Sequence, residues 1–465
     1  LMPIDGRNYL RYTSWPIFAA MVTLMLVGVL AIRASEQVGA GPPRSTLKQA
    51  IFCGIAIVAF FVTTAVPYTR IGRKAYVIFG GVLGLLVLVL FLPDIRGSRR
   101  WIDLGPVLFQ PAEAAKLAYV LAMAWYLRYG DHYRRLGGLL IPFVLAFVPM
   151  GLILKEPDLG TSLLFVPTFY VMLFMAGARK RHLIGIMLAG TFLLLLPVPW
   201  RLPAAPVAPA VPDSAMAAES RQSMAYEREM GEYRQARRAH SESVEATLAM
   251  AYGSFSVAET DYAVMAAPLL LMESHQLERV EGWLRQGDPR ISRTIGYQLH
   301  KSKLILGGGG WIGHGDWNRE HEFFRMLPDD HTDFIFAVIG GRWGFAGCVM
   351  VILLYAVIVL FGLEIASGTD DPFGRLLAVG IVTLIAAQVF INVGMTMGLM
   401  PITGMTLPFV SYGGSSLVIS GLALGLLVNV GQHRPRSLAP KPFEHGRRES
   451  RGDRPTESIA SRYRD

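Results

Sequence analysis

The 465-residue chain is 52% hydrophobic and only 17% charged, with a formal net charge of +9. Its charged residues gather in short clusters between apolar runs of about 20 residues, the length that crosses a bilayer as a helix, which excludes an ordinary soluble domain. Cys53 and Cys348, the only cysteines, both fall in apolar runs, so they offer no disulfide framework or metal-ligand spacing and read as small core residues.

In chain order the apolar runs predict ten spans, at 14–33, 47–67, 75–93, 110–128, 138–154, 162–177, 182–200, 333–362, 373–398 and 408–430. The first run is long for a signal-peptide core and lacks a small-residue cleavage pattern, so it is expected to stay as an anchor. An even count puts both termini on one side. Basic residues in short loops mark that side as cytoplasmic: Arg7 and Arg11, Arg70, Arg73 and Lys74, Arg128, Arg134 and Arg135, Arg179 to Arg181, and the tail after His433. This division gives helices 1–7 over 1–200, a long extracytoplasmic loop over 201–332, helices 8–10 over 333–431, and a basic, polar, disordered tail over 432–465. The positive charge reads as contact with anionic membrane lipids, not nucleic acid.

Arg96, Arg99 and Arg100 break the charge rule, because they fall on the outer side between spans three and four. Their guanidinium groups suit either phosphate recognition or contact with lipid headgroups and loop carboxylates. Span four opens with Glu113 and Lys116 three positions apart, on one helix face, as a structural pair or a substrate contact. At the end of span five, KEPDLGTS brings Asp158, which either caps a helix or faces the same cavity.

The outer loop begins with a Pro/Ala stretch expected to be extended, then a charged region from Ser214 to about Glu245 compatible with surface helix. Near Leu269 to Leu284 helical periodicity returns, as for a helix at the membrane interface. Asp288 follows in a Gly-Asp-Pro turn, as a presented carboxylate or simply a turn former. Gly307 to Gly310 suit a turn or a close backbone approach to a ligand. The stretch PITGMTLPFVSYGGSS, from Pro401 to Ser416, is polar and helix-breaking between two apolar segments. Such backbone survives at membrane depth only where it is buried in protein or lines a wet cavity, so it marks a working site.

GSRRWIDLG, QPAEAAKLA, KEPDLGTSLL, the string GDP, GY, SK and GGGG, LPDDHTDFIFAVIG and GLMPITGMTLPFVSYGGSS occur in the order of the signatures of the SEDS family (RodA/FtsW/SpoVE), which the chain resembles over nearly its whole length outside the long insertion and the tail. KEPDLGT and PITG lean toward the RodA branch. The resemblance implies an all-α, ten-helix polytopic membrane bundle with a long extracytoplasmic loop between helices 7 and 8. It also implies peptidoglycan glycosyltransferase activity on lipid II and the undecaprenyl-linked glycan at the outer face of the bacterial inner membrane. A class B penicillin-binding protein is the implied partner, and a divalent cation, Mg or Mn, the one possible cofactor.

Residue by residue, the family's essential outer-loop aspartate matches Asp288. Its substrate-binding positions match Arg99, Arg100, Trp101, Glu113, Lys116, Asp158, Ser302, Lys303, His331, Thr332, Asp333, Ser411, Gly413, Gly414, Ser415 and Ser416, with Pro408 completing the last motif. The chain departs from the pattern at Gly341 and Arg342, where two acidic residues are usual, and at Lys301, where a glutamine is. It also departs in a glycine string without its serine and in the insertion before Asp288. The rival functions are a flippase or transporter of a lipid-linked sugar, for which broken helices and intramembrane charges also serve, and a non-catalytic scaffold for a transpeptidase.

Overall fold

The computed structural model describes residues 13–38, 44–93, 99–105, 108–128, 132–156, 158–195, 197–200, 235, 263–266, 279–280, 282–287, 296–314 and 332–433. The expectations for Arg7, Arg11, Arg96, Asp288, His331, the charged loop region, most of the interfacial helix and the tail lie outside the described residues.

The helices are α1 (Trp15–Val38), α2 (Arg44–Ala65), α3 (Tyr68–Arg73), α4 (Ala75–Val89), α5 (Pro111–Leu127), α6 (Leu140–Lys155), α7 (Leu159–Leu163), α8 (Phe165–Ala176), α9 (Lys180–Leu195), α10 (Tyr297–Gly308), α11 (Ile335–Ser367), α12 (Pro372–Thr396) and α13 (Gly414–Gln432). Among the described residues, seven segments are long and apolar enough to cross a membrane: α1, α2, α6 with its preceding turn, α7 with α8, α11, α12 and α13. The remaining three predicted spans correspond to the shorter helices α4, α5 and α9. The chain is thus an all-α, multi-pass membrane protein.

Several predicted boundaries shift, each for a local reason. Span six starts at Leu159, not 162, because the Asp158 carboxylate accepts a hydrogen bond from the Thr161 backbone at 3.0 Å and caps the helix there. Span seven ends at Leu195, and Pro197–Trp200 instead forms a strand paired antiparallel with Ala263–Ala266. This ladder joins the two ends of the insertion. Span eight runs from Ile335 to Ser367 across a kink at Gly344, whose φ of 64° lies in the left-handed region. Span ten begins only at Gly414, because the stretch before it is not helical.

The glycine string explains the kink. A Cβ on Gly309 would come within 2.0 Å of the Gly340 carbonyl, and the Phe345 and Ala346 amides donate to the carbonyls of Gly310 and Trp311 at 2.8 and 3.0 Å. The string therefore closes onto α11 as a backbone-to-backbone packing element. Gly341, one of the departures from the family pattern, sits at this contact and accepts from the His314 amide at 3.1 Å.

α12 is apolar nearly all round and packs between α5, α8, α11 and α13, as a helix at the centre of a bundle must. α13 lies along α2. Cβ atoms on Gly421 and Gly425 would come within 2.6 and 2.5 Å of the Ala56 and Phe60 carbonyls, so these small residues let the two backbones touch. Asn429 closes the far end of that interface by donating to the Thr64 carbonyl at 2.6 Å and accepting from the Tyr68 amide at 2.8 Å.

Candidate functional site

α5 begins with Pro111 at its first turn, where a missing amide costs nothing, and Glu113 in the same turn complements the helix dipole. Glu113 and Lys116 are both buried, and the ammonium lies 2.9 Å from the carboxylate. Lys116 also donates to Gln388 Oε1 on α12 at 3.1 Å. Gln388 in turn donates to the Thr406 carbonyl at 2.8 Å, and the hydroxyls of Thr406 and Ser416 are 3.0 Å apart. A buried cation thus reaches the non-helical stretch 401–413 through one amide side chain.

Asp158 both caps and connects. Its carboxylate accepts from the Thr161 amide and hydroxyl, at 3.0 and 2.8 Å, and from Gln110 Nε2 at 2.7 Å. Gln110 precedes α5, and its own amide donates to Ser415 Oγ at 3.3 Å. Ser415 Oγ donates to the Leu108 carbonyl at 3.0 Å. Leu108–Phe109 pairs with Ile102–Asp103 in a small hairpin that follows Arg99, Arg100 and Trp101. Arg99 is exposed and Arg100 half-buried, with the Arg100 guanidinium carbon 5.9 Å from the Trp101 ring centroid.

The stretch 401–413 is buried in protein, as irregular backbone at this depth requires. Phe409 adopts a φ of 67°, uncommon for a residue with a side chain. The surroundings hold it there. The Tyr355 hydroxyl donates to the Pro408 carbonyl, and Ser411 Oγ accepts from the Leu407 amide at 2.8 Å while donating to the Thr332 carbonyl at 2.5 Å. Gln49 of α2 donates to the Ser411 carbonyl at 3.0 Å. Gly413 and Gly414 lead into α13, and a Cβ on Gly414 would come within 2.6 Å of the Phe52 ring.

Ser302 and Lys303 lie elsewhere on the assembly. Ser302, fully buried on α10, donates to the Thr396 carbonyl at 2.9 Å, and Lys303 donates to Gln286 Oε1 at 2.8 Å. Gln286 and Trp283 both donate to the Gly398 carbonyl, at 3.2 and 3.1 Å. The chain two residues before Asp288 is therefore fastened to the end of α12.

Reasoning from the sequence missed the organiser of these parts. Gln388, Asn392 and Thr396 stand at i, i+4 and i+8 on one face of α12. Asn392 donates to the Asp333 carbonyl at 3.0 Å and to the Met405 carbonyl at 2.5 Å, between the Gln388 and Thr396 contacts. Polar residues at helical spacing within a span were the available signal. Arg279 was missed as well: a Cβ on Gly404 would come 2.9 Å from its Nη1 and 3.4 Å from Asp333 Oδ2, so both charged groups face that backbone. Among the described residues no group of three or more His, Cys, Asp or Glu side chains is arranged to hold a metal ion.

The profile of the FtsW/RodA/SpoVE family, described as cell cycle proteins, matches residues 9–202 and 246–436. A peptidoglycan glycosyltransferase RodA from Treponema pallidum is 32% identical over 428 residues, 89% of this chain and 96% of its own. Stage V sporulation protein E of Bacillus subtilis is 29% identical over 437 residues, covering 91% and 98%. A solved chain from a peptidoglycan synthase complex, studied for the coordination of polymerization and crosslinking, superposes with a TM-score of 0.63 at 25% identity, covering 91% of this chain and 99% of that one. With its motifs in register, a profile spanning most of its length and a helical bundle that superposes on this relative, the chain belongs to the FtsW/RodA/SpoVE family.

Proposed function

We propose that this chain is a peptidoglycan glycosyltransferase that polymerises lipid II into undecaprenyl-linked glycan on the outer face of the bacterial inner membrane. Its termini are cytoplasmic, and a class B penicillin-binding protein is its crosslinking partner. Relatives that share most of its length carry the glycosyltransferase name. The observation on the molecule itself that supports the reading is the buried Lys116, joined through Gln388 to the non-helical stretch 401–413 inside the bundle.

The chemistry needs no nucleotide, because a lipid-linked disaccharide pyrophosphate already contains its leaving group. The attacking sugar hydroxyl must lose a proton while the C1–O bond to pyrophosphate breaks, and negative charge grows on the departing group. Asp288 is assigned as the base. Arg99, Arg100 and Lys116 supply positive charge for the pyrophosphate, and the hydroxyls of Ser411, Ser415 and Ser416 with the Gly413–Gly414 backbone help hold donor and acceptor in line. One base and no covalent intermediate fit an inverting displacement better than the carboxylate pair of a retaining hydrolase. Among the described residues no cluster of His, Cys, Asp or Glu is arranged to hold the expected Mg or Mn ion, and no step depends on it.

Lipid II polymerisation by the purified chain, with and without a class B penicillin-binding protein, tests the reading. Asp288→Asn should fold and insert normally yet lose about 10²–10⁴-fold in rate, since the amide keeps the shape and cannot take the proton. Near-normal glycan synthesis by that variant removes Asp288 from its role. Lipid II movement across vesicles without polymer would point to transport.

A further inference from the structure

Glu156 lies between the spans Leu136–Lys155 and Leu159–Ala176. It is fully buried, and among the described residues neither carboxylate oxygen has a hydrogen-bond partner. Its neighbour Asp158 is equally buried, but Thr161 and Gln110 occupy the Asp158 oxygens. The charged groups that act on Glu156 are Asp158 and Arg100, while the adjacent Lys155 is exposed. Arg100 is half-buried, and its Nε is buried without an acceptor. Among the described residues, an acid with both oxygens unpartnered thus lies within electrostatic reach of a guanidinium whose Nε is also unpartnered.

A carboxylate withdrawn from water and given no partner is strongly disfavoured in its charged form, and such groups hold their proton instead. Burial first, and the Asp158 charge second, push the Glu156 acid up to about 8 against the opposing pull of Arg100. Two carboxyl groups two residues apart thus differ in surroundings: three donors meet Asp158, and none meets Glu156 among the described residues.

We propose that Glu156 is a positioning residue that works in its neutral form, leaving the Arg100 guanidinium available to a phosphate or pyrophosphate group, and that ionised Glu156 withdraws Arg100 into an internal ion pair. A guanidinium committed to a carboxylate cannot offer the same fork to a phosphate. The proton released on ionisation goes to solvent. The proposal deepens the glycosyltransferase reading and rests on it for the identity of the anion, the pyrophosphate leaving group.

The test uses the full chain in detergent with inorganic pyrophosphate as probe, from below neutrality to about pH 9. Wild-type affinity should fall about tenfold as pH rises through about 8. Glu156→Gln, whose amide imitates the neutral acid, should bind like wild type at low pH and keep its affinity. Pyrophosphate's own titration is common to both and cancels in the ratio. Arg100→Gln should bind weakly and without the step. Identical profiles for wild type and Glu156→Gln, loss of binding by Glu156→Gln at every pH, or a step retained in Arg100→Gln each overturn the proposal. Lipid II polymerisation by the same wild-type sample separates the two readings. No polymer with the pyrophosphate step intact removes the enzyme assignment alone, and polymer without the step removes the role of Glu156 alone.

Discussion

Glu113 and Glu156 are both buried glutamates near helix ends of one bundle, at 5% and 0% exposure, and the fold treats them in opposite ways. Glu113 has a lysine one helical turn away, and the pair is extended by Gln388 into a network. Glu156 follows α6 with no hydrogen-bond partner, beside a second acid. A buried charge is tolerated either by a counter-charge with satisfied hydrogen bonds or by taking up a proton. The first solution makes a fixed feature, and the second makes one that changes with pH.

The largest expected effect comes from breaking the compensated pair. Lys116→Met leaves a buried carboxylate without its cation and should destabilise the chain by about 3–5 kcal/mol. Replacing Glu113 and Lys116 together by apolar residues should be milder for folding and still abolish activity. Thermal unfolding in detergent compares the two, and equal midpoints with activity preserved would dissolve the coupling. Next comes Asn392→Leu, which strips a donor from the buried Asp333 and Met405 carbonyls and should cost about 1–3 kcal/mol by the same measurement.

Asp158→Asn sharpens the contrast directly. It keeps a capping oxygen for the Thr161 amide, so the helix start should be little affected, and removes a charge that raises the Glu156 acid. In the wild type the raised acid contributes stability that is fully present below about 4.5 and is lost as pH rises through about 8. The variant should therefore complete that loss at lower pH, still above the ordinary carboxylate range because burial remains, and lose less in total. Melting curves recorded across this window would show the shift, and an unmoved midpoint would mean that Asp158 does not act on Glu156.

The smallest effect is expected in the insertion. Replacing residues 204–262 by a short Gly/Ser segment keeps the ladder between Pro197–Trp200 and Ala263–Ala266 and changes closure entropy by only about 0.6 kcal/mol per doubling of length. Basal polymerisation should persist while stimulation by the transpeptidase partner changes. A correctly inserted, monodisperse variant with no polymerisation at all would make the insertion part of the active site.

Much of this molecule was legible without coordinates, because its constraints are local or one-dimensional. Apolar runs long enough for a bilayer located the long helices of the bundle, since a span is a matter of length and composition, but not the short helices α3 and α10 packed against them. The three-residue spacing of Glu113 and Lys116 placed them on one face, and the ion pair follows from it. The helix-breaking run 401–416 announced buried irregular backbone, which the bundle encloses. Tertiary structure decided what spacing along the chain cannot encode: which distant groups share a cavity. It joined Lys116 to Gln388, some 270 residues away, and fastened Trp283 and Gln286 to Gly398. It decided that the glycine string, open in sequence between a turn and a close approach to a ligand, is a turn packed against a kinked helix. It also decided that of the two acids in KEPDLG, Asp158 receives three donors and Glu156 none, because burial and hydrogen-bond partners come from elements far apart in sequence.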